Sequence, residues 1–360
     1  MDKYFSMNQY KVLASTHEKR LCYSNGRMWM EDIDHKIAEV KIKLSILSRC
    51  RLAERFLRLT PRIGFTVSGE FFFSLHGWLF HVDENSMQAH EVYQFRPGMN
   101  NPLTICKRQW SQQEVVYWGE YWDNPTREQV NIFQFDGRLV TKVCSVSGIK
   151  HIHTIAWDQY RDCFWIATGD SDTETKIFKA SHSFENLEIV FSGQQKYRTC
   201  ALFPVENGIL YATDSPLCSN TLLFSEAKQD QLSEPAVIAP MPGPCIFSQE
   251  FRGNFYFSTS VEPNPNQPKI RYWLSSKISP GNIDNHSHVI CVTRDLEVSE
   301  IFGAVKDIHN MSFFQFGNIQ LTYDAYADSL GAYCTSLKKY DGKTVYLPVP
   351  GKQSQNPKPD

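Results

Sequence analysis

The chain has 360 residues, 42% of them hydrophobic, and a formal net charge of −2 from 37 Lys plus Arg against 39 Asp plus Glu. That apolar content suffices for a large core, and the charge balance excludes the broad basic field of a non-specific nucleic-acid or membrane binder. No apolar run reaches the ~18 residues of a membrane helix, and the opening MDKYFSMNQYKVLAS has no secretory pattern, so a cytoplasmic protein without a membrane span is expected.

Short aromatic and β-branched runs separated by Gly, Asn, Asp and Pro clusters dominate the chain, which is the pattern of antiparallel strands. The first group is YKVLASTHEKRLCYSNGRMWMED. A single helix is predicted over Ser48 to Leu59, with Leu52, Phe56 and Leu59 on the buried face, Arg51, Glu54 and Arg55 toward water, and Pro61 beyond its end. FTVSGEFFFSLHGWLFHVD follows as a second strand group.

From residue 115 onward the chain repeats. VVYWGEYWDNPTREQVNIFQFD, CFWIATGDSDTETKIFKAS, ILYATDSPLCSNTLLFSEA and FYFSTSVEPNPNQPKIRYWLSS each read as an apolar strand ending in an acidic residue, a polar turn and a second strand. The acidic residues, Glu120, Asp170, Asp214 and Glu262, recur at steps of 44 to 50 residues. IQLTYDAYADSLGAYCTS is a weaker fifth copy, with Asp324 in the acidic place. HIHTIAWD, YRTCALFP and CIFSQEFRG supply a preceding strand to three copies, and NLEIVFSG and PAVIAPM supply outer strands.

Four strands in about 45 residues make one propeller blade. An all-β propeller is therefore predicted, as a single domain over 1–348 with a flexible tail at 349–360. The blade count is seven, or six if the first and last segments combine to close the ring. Ten dispersed cysteines without a CxxC pair read mostly as buried free thiols.

In a propeller the start of each inner strand and the end of each second strand lie on one face beside the central channel. That places Glu120, Asp170, Asp214, Glu262 and Asp324 together with His151, His153 and Arg198, and sets Tyr121, Asp172 and Gln315 at the rim. Two of the four carboxylates Glu120, Asp170, Asp214 and Glu262 would act as acid and base, because close carboxylates raise one another's pKa. Arg198, Tyr121, Asp172 and Gln315 would bind substrate, and His151 and His153 would bind substrate or a divalent metal. Each residue also has a structural reading: the acids as turn caps, the histidines as channel wall, and Arg198 as an ion-pair partner of Asp170 or Asp214.

The stretches WGEYWDNP, HIHTIAWDQYRDCFWIATGDSD, YRTCALFPVENGILYATDSP and STSVEP resemble the repeats of sialidase-like (BNR, Asp-box) propellers, in the style of bacterial propellers found with surface-polysaccharide genes. The resemblance spans about residues 10 to 347. Only degenerate Asp-box echoes are present, YSNGRMW and FDGRLVTKV, and no arginine triad. It implies a carbohydrate-active protein in surface-polysaccharide synthesis or processing, glycosidase-like or polysaccharide lyase-like if it is an enzyme. The alternative is a non-catalytic propeller that binds a glycan or a protein partner. No nucleophile motif separates the two.

Overall fold

The computed structural model describes residues 6–111, 113–228, 231–268 and 277–348. Seven antiparallel sheets follow one another along the chain and close into a ring. Blade one is Lys11–Ser15, Lys19–Ser24, Arg27–Asp32 and Ile37–Glu39, and blade two is Gly64–Val67, Glu70–Leu75, Trp78–Asp83 and Gln88–Gln94. Blade three is Cys106–Trp110, Gln113–Gly119, Val130–Phe135 and Val140–Val146, and blade four is His151–Asp158, Cys163–Gly169, Lys176–Ser181 and Leu187–Ser192. Blade five is Thr199–Val205, Gly208–Thr213, Asn220–Lys228 and Ala236–Met241, with the short strand Gln231–Leu232 paired on its third strand. Blade six is Cys245–Phe251, Asn254–Thr259, His286–Val292 and Val298–Val305.

The seventh blade takes Asn318–Asp324, Ser329–Thr335 and Thr344–Leu347 from the end of the chain and Met7–Asn8 from its beginning. Met7 pairs with Val345 and Asn8 with Thr344, so the two ends of the chain do combine, and the count is still seven. The expected tail at 349–360 lies outside the described residues.

The core lies between neighbouring blades. Val115, Tyr117, Val130 and Ile132 of blade three pack with Ile152, Ile155, Phe164 and Ile166 of blade four, all buried. Alternation along each strand produces this, since every second residue faces the next sheet. Each such side chain contributes about 1.5–3 kcal/mol by leaving water.

Two helices occur among the described residues, α1 at Arg51–Leu57 and α2 at Met311–Phe314. Each lies in a connection from an outer strand to the next inner strand, on the face where inner strands begin. The predicted helix is therefore present but shorter than 48–59, and its faces are reversed. Glu54 and Arg55 are buried, whereas Leu52 and Phe56 are exposed. The reversal comes from partners distant in sequence: Glu54 Oε1 accepts from the Tyr23 hydroxyl at 2.6 Å, and Arg55 Nη1 reaches Asp307 at 2.6 Å and Asp341 at 3.2 Å. The helix stops at Arg58, which takes the left-handed conformation at φ 56°, three residues before Pro61.

Asp324 needs a second correction. It ends the inner strand of blade seven rather than a second strand, which puts it on the opposite face. There it is fully buried against Arg20 at 3.3 Å and the Tyr346 hydroxyl at 2.6 Å.

Candidate functional site

Blades four, five and six bring one cluster to the channel mouth. His151 opens the inner strand of blade four, and Asp170 follows its second strand. Arg198 precedes the inner strand of blade five and Asp214 follows its second, while Glu262 stands three residues past the second strand of blade six. Arg198 Nη2 lies 3.2 Å from Asp170 Oδ1 and 3.6 Å from Asp214 Oδ2, so one guanidinium joins two blades. Gly169 is required by this crowding: a Cβ there would stand 2.7 Å from the His153 ring and 3.0 Å from the Arg198 side chain.

His151 and His153 point the same way, with their Nε2 atoms 3.1 Å apart and 3.6 and 3.4 Å from Asp170 Oδ1. His151 Nδ1 lies 3.0 Å from the Trp122 carbonyl, which can only accept, so Nδ1 carries a proton and the Nε2 edge of the ring is turned toward Asp170. Lys150 Nζ binds the other carboxylate oxygen of Asp170 at 2.9 Å. Tyr121 lays its ring 4.2 Å from that of His151.

The two aspartates are driven in opposite directions. Burial alone would raise Asp170, but hydrogen bonds from His151 and His153 and the Arg198 charge hold it far below the ordinary carboxylate range. Asp214 is buried more deeply, and burial together with the nearby Glu262 pushes it up to about 8 despite Arg198. Glu262 is raised as well, first by burial, although its Oε1 accepts from the Ser260 hydroxyl at 2.7 Å. Burial lowers His153 to about 4 and leaves the imidazole neutral. Three polar atoms here are buried without a partner among the described residues: Asp214 Oδ1, Arg198 Nε and His153 Nδ1.

Other predicted residues stand apart from this cluster. Glu120 is buried, and its carboxylate is taken up by Arg96 Nε at 2.8 Å and by the Asn131 backbone and side-chain nitrogens at 2.8 and 3.0 Å. It ties the second strand of blade three to the third. Asp172 is exposed and accepts from Gln195 at 2.9 Å. Gln315 is buried under α1, donating to the Arg55 carbonyl at 3.0 Å.

Sequence reasoning passed over Lys150, Cys200 and Arg62. Cys200 is one of the cysteines read as buried free thiols, and its thiol donates to Asp214 Oδ2 at 3.2 Å. Its position two residues after Arg198, at the start of the inner strand of blade five, was the available signal. Arg62 carries an equivalent signal, since it precedes the inner strand of blade two as Arg198 precedes that of blade five.

Among the described residues, two groups have donor atoms close enough to share a cation: His151, His153 and Asp170, or His153, Cys200 and Asp214. The first fits better. Its spacings of 3.1, 3.4 and 3.6 Å are near the roughly 3.0–3.4 Å separating atoms bound about 2.0–2.1 Å from one small cation. His151 also has the outer carbonyl partner that orients a ligating imidazole. The second group is less suited, because burial raises the Cys200 thiol well above its ordinary value and a metal takes the thiolate.

Two cavities open along the axis. One of about 640 Å³ adjoins the cluster and is lined by Arg58, Arg62, Tyr121, Lys150 and His151. The larger, about 1400 Å³, is lined along the inner strands by residues such as Trp157, Phe203, Gln249 and Gln320, with no histidine among its described lining residues. Size does not mark the chemistry here.

No family model and no curated protein matches the chain. Among solved structures it is similar to an oligogalacturonate lyase from Vibrio parahaemolyticus, at 9% identity and TM-score 0.55 over 96% of this chain and 94% of that one. It is also similar to an oligogalacturonate lyase in complex with manganese, at 10% identity and TM-score 0.55 over 94% and 88%. A virginiamycin B lyase from Staphylococcus aureus matches at 11% identity and TM-score 0.54 over 96% and 100%. At such identities the likeness is one of fold, a seven-bladed propeller, and the site must be argued from its own residues. The sialidase-like resemblance gains no family match. Its two Asp-box echoes also occupy different turns, one between the second and third strands of blade one and the other between the third and fourth strands of blade three, so they are not equivalent positions of one repeat.

Proposed function

We propose that the channel mouth is a carbohydrate-processing site that cleaves a glycosidic bond by paired acid and base action. The single observation behind this reading is that one arginine holds two carboxyls in opposite states, Asp170 ionised and Asp214 protonated near neutrality. Titratable neighbours whose environments drive their pKa values apart are the usual arrangement of an acid and a base in one site. Asp214, whose Oδ1 has no protein partner, would give its proton to the departing sugar oxygen. Glu262 keeps that proton in place by opposing a second charge, and Arg198 aligns the two aspartates. Neutral His153 and ionised Asp170 supply basic atoms on the blade-four side, one of which would take the proton from the water that adds to the sugar carbon in hydrolysis, or from a ring carbon in elimination.

His151, His153 and Asp170 would hold a divalent cation, which when bound supplies charge stabilisation for a substrate oxygen. Lys150 would then hold Asp170 by its other oxygen, while Arg198 contacts the oxygen that faces the imidazoles. The resemblance to propellers found with surface-polysaccharide genes supports a polysaccharide or its precursor as the substrate.

The experiment is a panel of oligosaccharides incubated with the native protein and with Asp214→Asn and Asp170→Asn, reading new reducing ends and unsaturated products. Cleavage by the native protein that both variants lose is expected. Products and binding unchanged in the folded variants would overturn the reading, and binding without products in any of the three would favour a glycan-binding platform.

A further inference from the structure

The smaller cavity next to the cluster has a charge property that acid and base action does not require. Arg20, Arg51, Arg55, Arg96, Arg161 and Arg198 each have a carboxylate within ion-pair distance. Arg62 has none among the described residues. The groups acting on it are the neighbouring Arg58 guanidinium and the Tyr121 phenol. Burial, and then the Arg58 charge, lower Arg62 from its ordinary value, which is the response of a cation enclosed without an anion. Its side chain remains open to the cavity while protein surrounds it.

The backbone under Arg62 is fixed. Lys11 Nζ donates to the carbonyls of Pro61 and Arg62, both at 2.8 Å, and Gln320 Nε2 donates to the Arg62 carbonyl at 2.9 Å. A further cation is thus buried below the segment, and burial and then Arg62 lower Lys11 well below its ordinary value. Lys150 on the far wall is ion-paired with Asp170 at 2.9 Å and Asp123 at 3.4 Å, and Asp123 is the one carboxylate in the lining, so the charge of Arg62 is not offset there. The Arg62 guanidinium, without an anionic partner among the described residues and held by pinned backbone in a cavity that meets a candidate reaction centre, favours an anion there.

We propose that Arg62, with Arg58 beside it, is an oxyanion subsite, and that the saccharide acted on at the channel mouth carries a carboxylate or a phosphate or sulfate ester seated there. The clause about the saccharide rests on the function proposed above. The subsite itself does not. Tyr121 connects the two places: it lines the same cavity as Arg62, and its ring lies 4.2 Å from that of His151, so an anionic substituent on Arg62 would set the attached ring toward His151 and Asp170.

The test has two arms. In the first, inorganic phosphate and free glucuronate are titrated into the native protein, Arg62→Gln, Arg62→Lys and the surface control Lys142→Gln, with ligand NMR as the readout and thermal melting to confirm folding. Native protein should bind both anions. Arg62→Gln should weaken them roughly ten- to a hundred-fold, the loss of one charge-assisted hydrogen bond, with Arg62→Lys in between and Lys142→Gln as native. Equal binding by native protein and Arg62→Gln, or no binding of either anion, overturns the subsite.

In the second arm, matched neutral, carboxylated, phosphorylated and sulfated oligosaccharides are compared on native protein and Arg62→Gln. Binding of one acidic class that Arg62→Gln loses supports the proposal and identifies the anion. Binding of neutral saccharides alone, equal in both proteins, overturns it but leaves the proposed function standing. Free-anion binding that depends on Arg62, with no saccharide bound, keeps the subsite and removes the saccharide reading.

Discussion

Two groups of buried charges occupy the same face of the ring and differ in kind. Under α1, Arg51 and Arg55 meet Glu54, Asp307 and Asp341, and both aspartates are held below their ordinary values because the arginine hydrogen bonds outweigh burial. Both aspartates there are ionised and matched to a cation, as in a structural network. At the channel mouth, Asp170 and Asp214 share Arg198 but stand in opposite protonation states, with unpartnered atoms on both Asp214 and Arg198. Burial of charge does not by itself identify a functional site. Unequal protonation distinguishes one from a network that only holds the fold; unfilled hydrogen-bonding capacity does not, because among the described residues Arg55 Nη2 under α1 is also buried without a partner.

Substitutions can break this contrast, taken here from the largest expected effect downward. Asp214→Asn should reduce saccharide cleavage about 10²–10⁴-fold, the usual contribution of a general acid, while leaving stability unchanged or raised. Arg55→Ala should cost about 3–5 kcal/mol in chemical denaturation, because it leaves Asp307 and Asp341 buried with too little positive charge. Gly169→Ala forces a Cβ toward His153 and should cost about 1–3 kcal/mol together with activity, whereas changes to the α1 network should register in stability first.

The smallest effect sharpens the comparison through pH. Asp214 holds its proton more tightly folded than unfolded, so its contribution to stability is complete below the ordinary aspartate range and is lost as pH rises toward about 8. Asp307 and Asp341 have the opposite sign: their contributions are present above the ordinary range and lost as pH falls below it. Asp214→Asn should therefore flatten the decline in melting temperature between about pH 4 and 8 and leave the acid limb in place.

The repeat made the propeller readable, because strand alternation and a period near 45 residues are local properties of the chain. The convergence of Asp170, Asp214, Glu262, His151, His153 and Arg198 on one face followed from that period and from topology. The misreadings arose where partners come from far away. Glu54 and Arg55 looked like a solvated helix face, and only Tyr23, Asp307 and Asp341 reverse it. Glu120 shares the acidic position of the repeat, but Arg96 and Asn131 take up its carboxylate. Asp324 matched the repeat by eye but belongs to an inner strand. Cys200 and Arg62 are single residues without a motif, and their roles depend on what faces them across the channel.

The central claim is that the site holds a protonated carboxyl next to an ionised one at neutral pH. Infrared difference spectroscopy of native protein against Asp214→Asn tests it most directly. The account predicts a protonated-carboxyl band at pH 7 that Asp214→Asn lacks and that disappears as pH rises through about 8. A native spectrum without that band at pH 7, with Asp214 titrating in the ordinary carboxylate range, would contradict it.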